Sequence, residues 1–85
     1  MNVLIVNYAP FLLEQTIFVY QHNTLIKTEK TTIERIPSLV KELSKKFNIK
    51  DIRLCGSEDY LLRCKALIDL QISDPEYKVN IIDNK

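Results

Sequence analysis

The chain changes hydrophobic period along its length, and the changes mark its elements. Val3-Leu4-Ile5-Val6 is a continuous apolar run of strand-forming residues, the pattern of a strand covered on both faces and therefore central in its sheet. It predicts a first strand from Asn2 to Tyr8, ended by Ala9-Pro10 because proline cannot donate to a ladder. Thr16 to Gln21, rich in β-branched and aromatic residues, predicts a second strand. His22-Asn23 then reads as a hairpin turn, since asparagine tolerates positive φ. Thr24 to Lys30 returns as a third strand, more polar toward its end and so nearer an edge. After Thr31 the period becomes helical: Ile36, Leu39, Val40, Leu43 and Phe47 share one face, and Lys41, Glu42, Ser44, Lys45 and Lys46 cover the other. Pro37 belongs in an opening turn, which places the helix start near Glu34 to Pro37. Thr31-x-x-Glu34 resembles a capping box slightly upstream, and Asn48 closes the helix. Asp51 to Cys55 is a short fourth strand broken at Gly56-Ser57, with Ser57 an N-cap and Glu58 and Asp59 suited to the positive end of a second helix. That helix runs to about Leu70. Ser73-Asp74-Pro75 turns the chain into a last strand, Tyr77 to Ile82.

The second helix departs from simple amphipathicity. Tyr60, Leu61, Cys64, Leu67 and Ile68 form one apolar face for the core, while Leu62, Ala66 and Leu70 form a second stripe almost opposite. A surface helix is ordinarily polar there, so either a neighbouring element or a second chain covers it; scattered surface leucines are the bland alternative. Phe11-Leu12-Leu13, apolar in an expected loop, gives the same hint. Leu62, Ala66, Leu70, Phe11 and Leu12 are accordingly the candidate contacts to another protein or to a second copy.

Three strands ending in a hairpin, then helix, strand, helix, strand, resemble the ribonuclease H-like superfamily, which includes the Holliday-junction resolvases and the half-domain of actin-like ATPases. The resemblance lies in element order over nearly the whole chain. It implies an α/β fold: one domain over 1–85 with a single mixed five-stranded sheet in the order βββαβαβ and two helices. The superfamily's nucleases hold two divalent metals on carboxylates. Their leading acid belongs in the opening strand, where this chain has Asn7, and the next near the end of the fourth, where Cys55 and Gly56 stand. Glu58 and Asp59 are better explained as first-turn helix residues, and Asp69 and Asp83 alone do not complete a metal site. The actin-like half needs glycine-rich phosphate loops, and Gly56 is the single glycine of the chain. Gly56-Ser57-Glu58-Asp59 reads as a capped turn whose acids oppose a phosphate.

Composition narrows the rest. Twelve basic and 11 acidic residues leave a net charge of +1, so no global field draws in nucleic acid or an anionic surface. A local patch of Lys41, Lys45, Lys46, Lys50 and Arg53 is the alternative, a nucleic-acid-binding or degenerate nuclease subunit tracking phosphates; against it, Glu42 pairs with Lys46 at i,i+4 and exposed lysines are ordinary. Two cysteines and one histidine give neither a disulfide scaffold nor a zinc cluster, and His22 in a hairpin turn has no reason to meet Cys55 or Cys64 in a dyad. No apolar run approaches the ~20 residues of a membrane helix, and the first residues lack a secretion signal, which makes the cytoplasm the default expectation. Abundant Lys, Ile and Asn with scarce Gly hint at an AT-rich genome, a low-GC bacterium or its phage. The expectation is a small non-enzymatic interaction protein, with no catalytic residues, cofactor or metal.

Overall fold

In the computed structural model, which describes residues 2–9, 11–56 and 58–83, five strands and two α-helices form two layers. The elements are β1 (Asn2–Asn7), β2 (Gln15–Gln21), β3 (Thr24–Thr31), a 3-10 turn (Ile33–Arg35), α1 (Ile36–Lys46), β4 (Asp51–Gly56), α2 (Glu58–Gln71) and β5 (Lys78–Asp83). The sheet order is β3-β2-β1-β4-β5. β1 is antiparallel to β2 and parallel to β4, β2 is antiparallel to β3, and β4 is parallel to β5. An α/β fold with one mixed five-stranded sheet and two helices is therefore established. The expected cap at Ser57 and the strand breaker Pro10 lie outside the described residues, as do the side chains of Glu58 and Asp83.

Local chemistry sets the boundaries. His22 and Asn23 take φ of 54° and 65°, the left-handed pair that a two-residue hairpin requires. Asn48, at φ 53°, ends α1 in a Schellman arrangement: the Ile49 amide donates to the Ser44 carbonyl at 2.8 Å and the Asn48 amide to Lys45 at 3.4 Å. The capping box does not form. Thr31 is the last residue of β3, neither Thr32 nor Arg35 caps through its side chain, and Pro37 stands in the first turn of α1. The tighter 3-10 turn takes up the approach instead.

Register builds the core. Across the sheet, Val19, Leu4, Ile52 and Val79 make one row and Ile17, Val6, Leu54 and Ile81 the next. Ile36, Val40 and Leu43 of α1 and Leu61 and Ile68 of α2 pack on them. All the helices thus lie on one side of the sheet. The run Val3 to Val6 does place β1 in the middle strand, but it is not buried along both faces: on the face away from α1 and α2, Val3 is buried, Ile5 half-buried and Asn7 exposed.

Candidate functional site

The carboxyl ends of β1 and β4 point the same way, so Tyr8, Ala9, the 11–14 segment, the 3-10 turn and the start of α2 gather at one end of the sheet. Two features hold them there. Gly56 closes β4 at φ 146°, and a Cβ on it would stand 2.6 Å from the Tyr8 carbonyl oxygen; no side chain fits between these strand ends. Beside it, the Tyr8 amide donates to the Cys55 carbonyl at 2.8 Å.

Gln15, the first residue of β2, is only 1% exposed. Its Nε2 donates to the carbonyls of Ala9 and Leu12, at 2.8 and 2.9 Å. Its Oε1 accepts from the Ala9 amide. The Leu12 amide also donates to Ala9 at 3.0 Å. A buried amide with both ends satisfied therefore pins the loop from inside. The same loop turns Phe11, 97% exposed, and Leu13, 91% exposed, into solvent, with Leu12 exposed between them. Sequence reasoning marked Phe11 and Leu12 but missed Gln15. Its signal was a polar residue at a strand start directly after an apolar loop.

The outer face of α2 is where the pattern put it. Leu62, Ala66 and Leu70 are all exposed, Leu70 at 82%. Leu62 lies in the half of α2 that starts at the carboxyl end, and Leu70 near the far end. The five candidate contacts thus form two groups, the 11–13 loop and the α2 stripe. Leu13 joins the first.

Tyr60 and Leu67 depart from expectation. Both are exposed rather than core. They line a cleft of about 400 Å³ between the start of α1 and the stretch of α2 from Asp59 to Leu67. Ile33, Ile36 and Pro37 line it from the 3-10 turn and α1, and Tyr8, Cys64, Asp59 and Arg63 complete the lining. The Tyr8 and Tyr60 rings meet at 5.7 Å and 37°. Burial pushes the Cys64 thiol up to about 11, and it raises the Tyr8 hydroxyl above its ordinary value, with Tyr60 and Cys64 adding to the effect.

The basic residues do not gather. Lys41, Lys45 and Lys46 are exposed on α1. Lys50 instead bridges to Asp74 at 3.5 Å and to Glu76, and these carboxylates, led by the Glu76 hydrogen bond, raise its pKa. Arg53 alternates with the core residues Ile52 and Leu54, so it lies on the face of the sheet away from α1 and α2, paired to Asp51 at 3.1 Å. Among the described residues, no three His, Cys, Asp or Glu side chains stand together as a metal site would require. Among the described residues no helix is long and apolar enough to cross a membrane.

No family model and no curated protein matches this chain. Among solved structures it is similar to Pelota of Archaeoglobus fulgidus, described as revealing inter-domain structural plasticity. The TM-score is 0.56 at 12% identity, over 98% of this chain and 26% of that one. A likeness at this identity speaks to fold alone, and the chain spans about a quarter of Pelota's length.

Proposed function

We propose that this chain is a small non-enzymatic interaction domain of ribonuclease H-like type, which holds a protein partner or a second copy on the apolar surface of its 11–13 loop, at the carboxyl ends of β1 and β4, and along α2. The sheet order β3-β2-β1-β4-β5, with three antiparallel strands followed by two parallel ones, supports the fold assignment. Asn7 at the position of the superfamily's leading acid supports a non-catalytic role.

The observation that carries the reading is the pinned loop. Phe11, Leu12 and Leu13 are exposed on a segment that Gln15 fixes from below. An apolar segment fixed in one conformation loses little entropy on binding, and aromatic anchors are a common centre of binding energy at interfaces. Leu62, Ala66 and Leu70 extend the apolar surface along α2. The test is a pair of loop variants, Phe11→Ser and Leu13→Ser. Both keep the melting temperature and lose either the partner that copurifies from the native host or the concentration-dependent increase in sedimentation coefficient. Wild-type protein that sediments as a monomer at every concentration and retains no partner sinks the proposal.

The second reading, nucleic-acid binding through α1, keeps one observation in its favour: Lys41, Lys45 and Lys46 are exposed, and none is in an ion pair among the described residues. It calls for binding to single- or double-stranded DNA or RNA that weakens steeply with salt. Absence of binding at low salt removes it.

A further inference from the structure

We infer that the cleft between α1 and α2 binds a small zwitterion with an apolar body, namely a free α-amino acid bearing an aromatic or branched side chain. The cleft exists for a topological reason. After β1 the chain leaves toward β2, and after β4 it leaves through α2 toward β5 on the other side. The cleft therefore lies beside the carboxyl ends of two adjacent parallel strands, the end of the sheet at which open α/β folds take their ligands. Tyr8 follows the first of these strands and Asp59 and Tyr60 follow the second.

Size and chemistry then select the ligand. The volume of about 400 Å³ falls in the lower part of the ~300–1,000 Å³ range of small-molecule sites. Its walls are apolar, from Ile36 and Pro37 on one side to Leu67 on the other, with the Tyr8 and Tyr60 rings available to an aromatic body. Two opposite charges complete the lining. Asp59 and Arg63 are one turn apart on α2, the spacing at which such residues usually pair, yet neither is in an ion pair among the described residues. A ligand carrying one cation and one anion satisfies both: its ammonium faces Asp59, and its carboxylate takes the guanidinium fork of Arg63. A nucleotide fits poorly, because its phosphates would meet one arginine beside a carboxylate. A neutral apolar molecule would leave both charges without partners. This site is separate from the pinned loop and stands or falls without it.

Amide-shift titration of ¹⁵N-labelled protein tests the assignment. The probes are L-phenylalanine, L-leucine, N-acetyl-phenylalanine, phenylalanine amide and benzyl alcohol. Saturable shifts at Tyr8, Tyr60 and Leu67 are expected with the two free amino acids. N-acetyl-phenylalanine lacks the cation and phenylalanine amide the carboxylate, and each should bind about tenfold more weakly. Arg63→Met should make L-phenylalanine and phenylalanine amide equivalent, and Asp59→Asn should make L-phenylalanine and N-acetyl-phenylalanine equivalent. Both side chains are exposed, so neither change threatens the fold. Leu67→Trp, which fills the cleft, should abolish the shifts, whereas Phe11→Ser should leave them unchanged. Equal binding of all five probes would reduce the cleft to a non-selective apolar hole and overturn the inference. So would shifts that never saturate, or a preference that survives Arg63→Met and Asp59→Asn together.

Discussion

Replacing Gln15 by Glu changes almost no volume and reverses the chemistry of the pin. The side-chain nitrogen that now donates to the carbonyls of Ala9 and Leu12, at 2.8 and 2.9 Å, becomes an oxygen facing two oxygens. Losing two hydrogen bonds costs about 1–3 kcal/mol at ~0.5–1.5 kcal/mol each, and placing an acceptor against acceptors in a buried site adds ~1–2 kcal/mol. A total near 3 kcal/mol is a large part of the ~4–13 kcal/mol expected at ~0.05–0.15 kcal/mol per residue. At ~4–8 °C per kcal/mol for a domain of this size, the melting temperature should fall by ~12–24 °C. Gln15→Met, which loses all three bonds without adding a charge, should lose about 3 kcal/mol at the same rate. The two variants separate by pH. The introduced carboxyl is disfavoured as an anion in the fold, so its folded pKa lies above the ~4.3 of an unperturbed glutamate. Its penalty is therefore largest above that folded value and shrinks as pH falls through it, while the Met variant carries no such dependence. Urea denaturation followed by circular dichroism at neutral pH and near pH 4 measures both. A Glu variant within 0.5 kcal/mol of wild type, on the order of an ordinary surface change, refutes the account of the loop.

Gly56→Ala forces a Cβ to within 2.6 Å of the Tyr8 carbonyl at a φ of 146°, and should cost about 2–4 kcal/mol in the same denaturation assay; a neutral result would mean that the strand ends can part freely. With its pKa pushed up to about 11, the Cys64 thiol should alkylate at pH 8 roughly a hundredfold more slowly in the folded protein than in urea, as mass spectrometry of iodoacetamide adducts would report. Because that pKa is raised, the stability linked to it is fully present below the unfolded value and declines as pH rises through the folded one; Cys64→Val should flatten the stability profile between about pH 8.5 and 11. Leu62→Glu and Leu70→Glu, at sites 53% and 82% exposed, should shift stability by less than ~0.5 kcal/mol while weakening retention of the partner, and a loss of stability instead would show the stripe to be structural.

Most of the architecture is readable from local chemistry. The two-residue turn at His22-Asn23, the stop at Asn48 and the opening turn at Pro37 each follow from what a single residue permits, and they fall where the residues say. The run Val3 to Val6 announces a central strand, yet its apolar character does not tell a covered face from one left open. Tyr60 and Leu67 have the spacing of core residues, and only the three-dimensional gap beside the start of α1 turns them into cleft walls. Arg53 and the α1 lysines look like neighbours along the chain, but strand alternation sends Arg53 to the opposite side of the sheet. Gln15 is the clearest case of what a sequence withholds. Its role depends on the path of a loop that no periodicity describes, and three hydrogen bonds turn an ordinary strand residue into the support of the exposed 11–13 segment.

The central claim, that the pinned loop is a docking surface, is tested most directly by placing a photoreactive phenylalanine analogue at position 11 and, in parallel, at position 41 on α1. After irradiation in the native host, the account predicts one crosslinked product of defined mass from position 11, absent when Gln15→Glu is added and absent from position 41. No discrete product from position 11, or the same product from both positions, contradicts it.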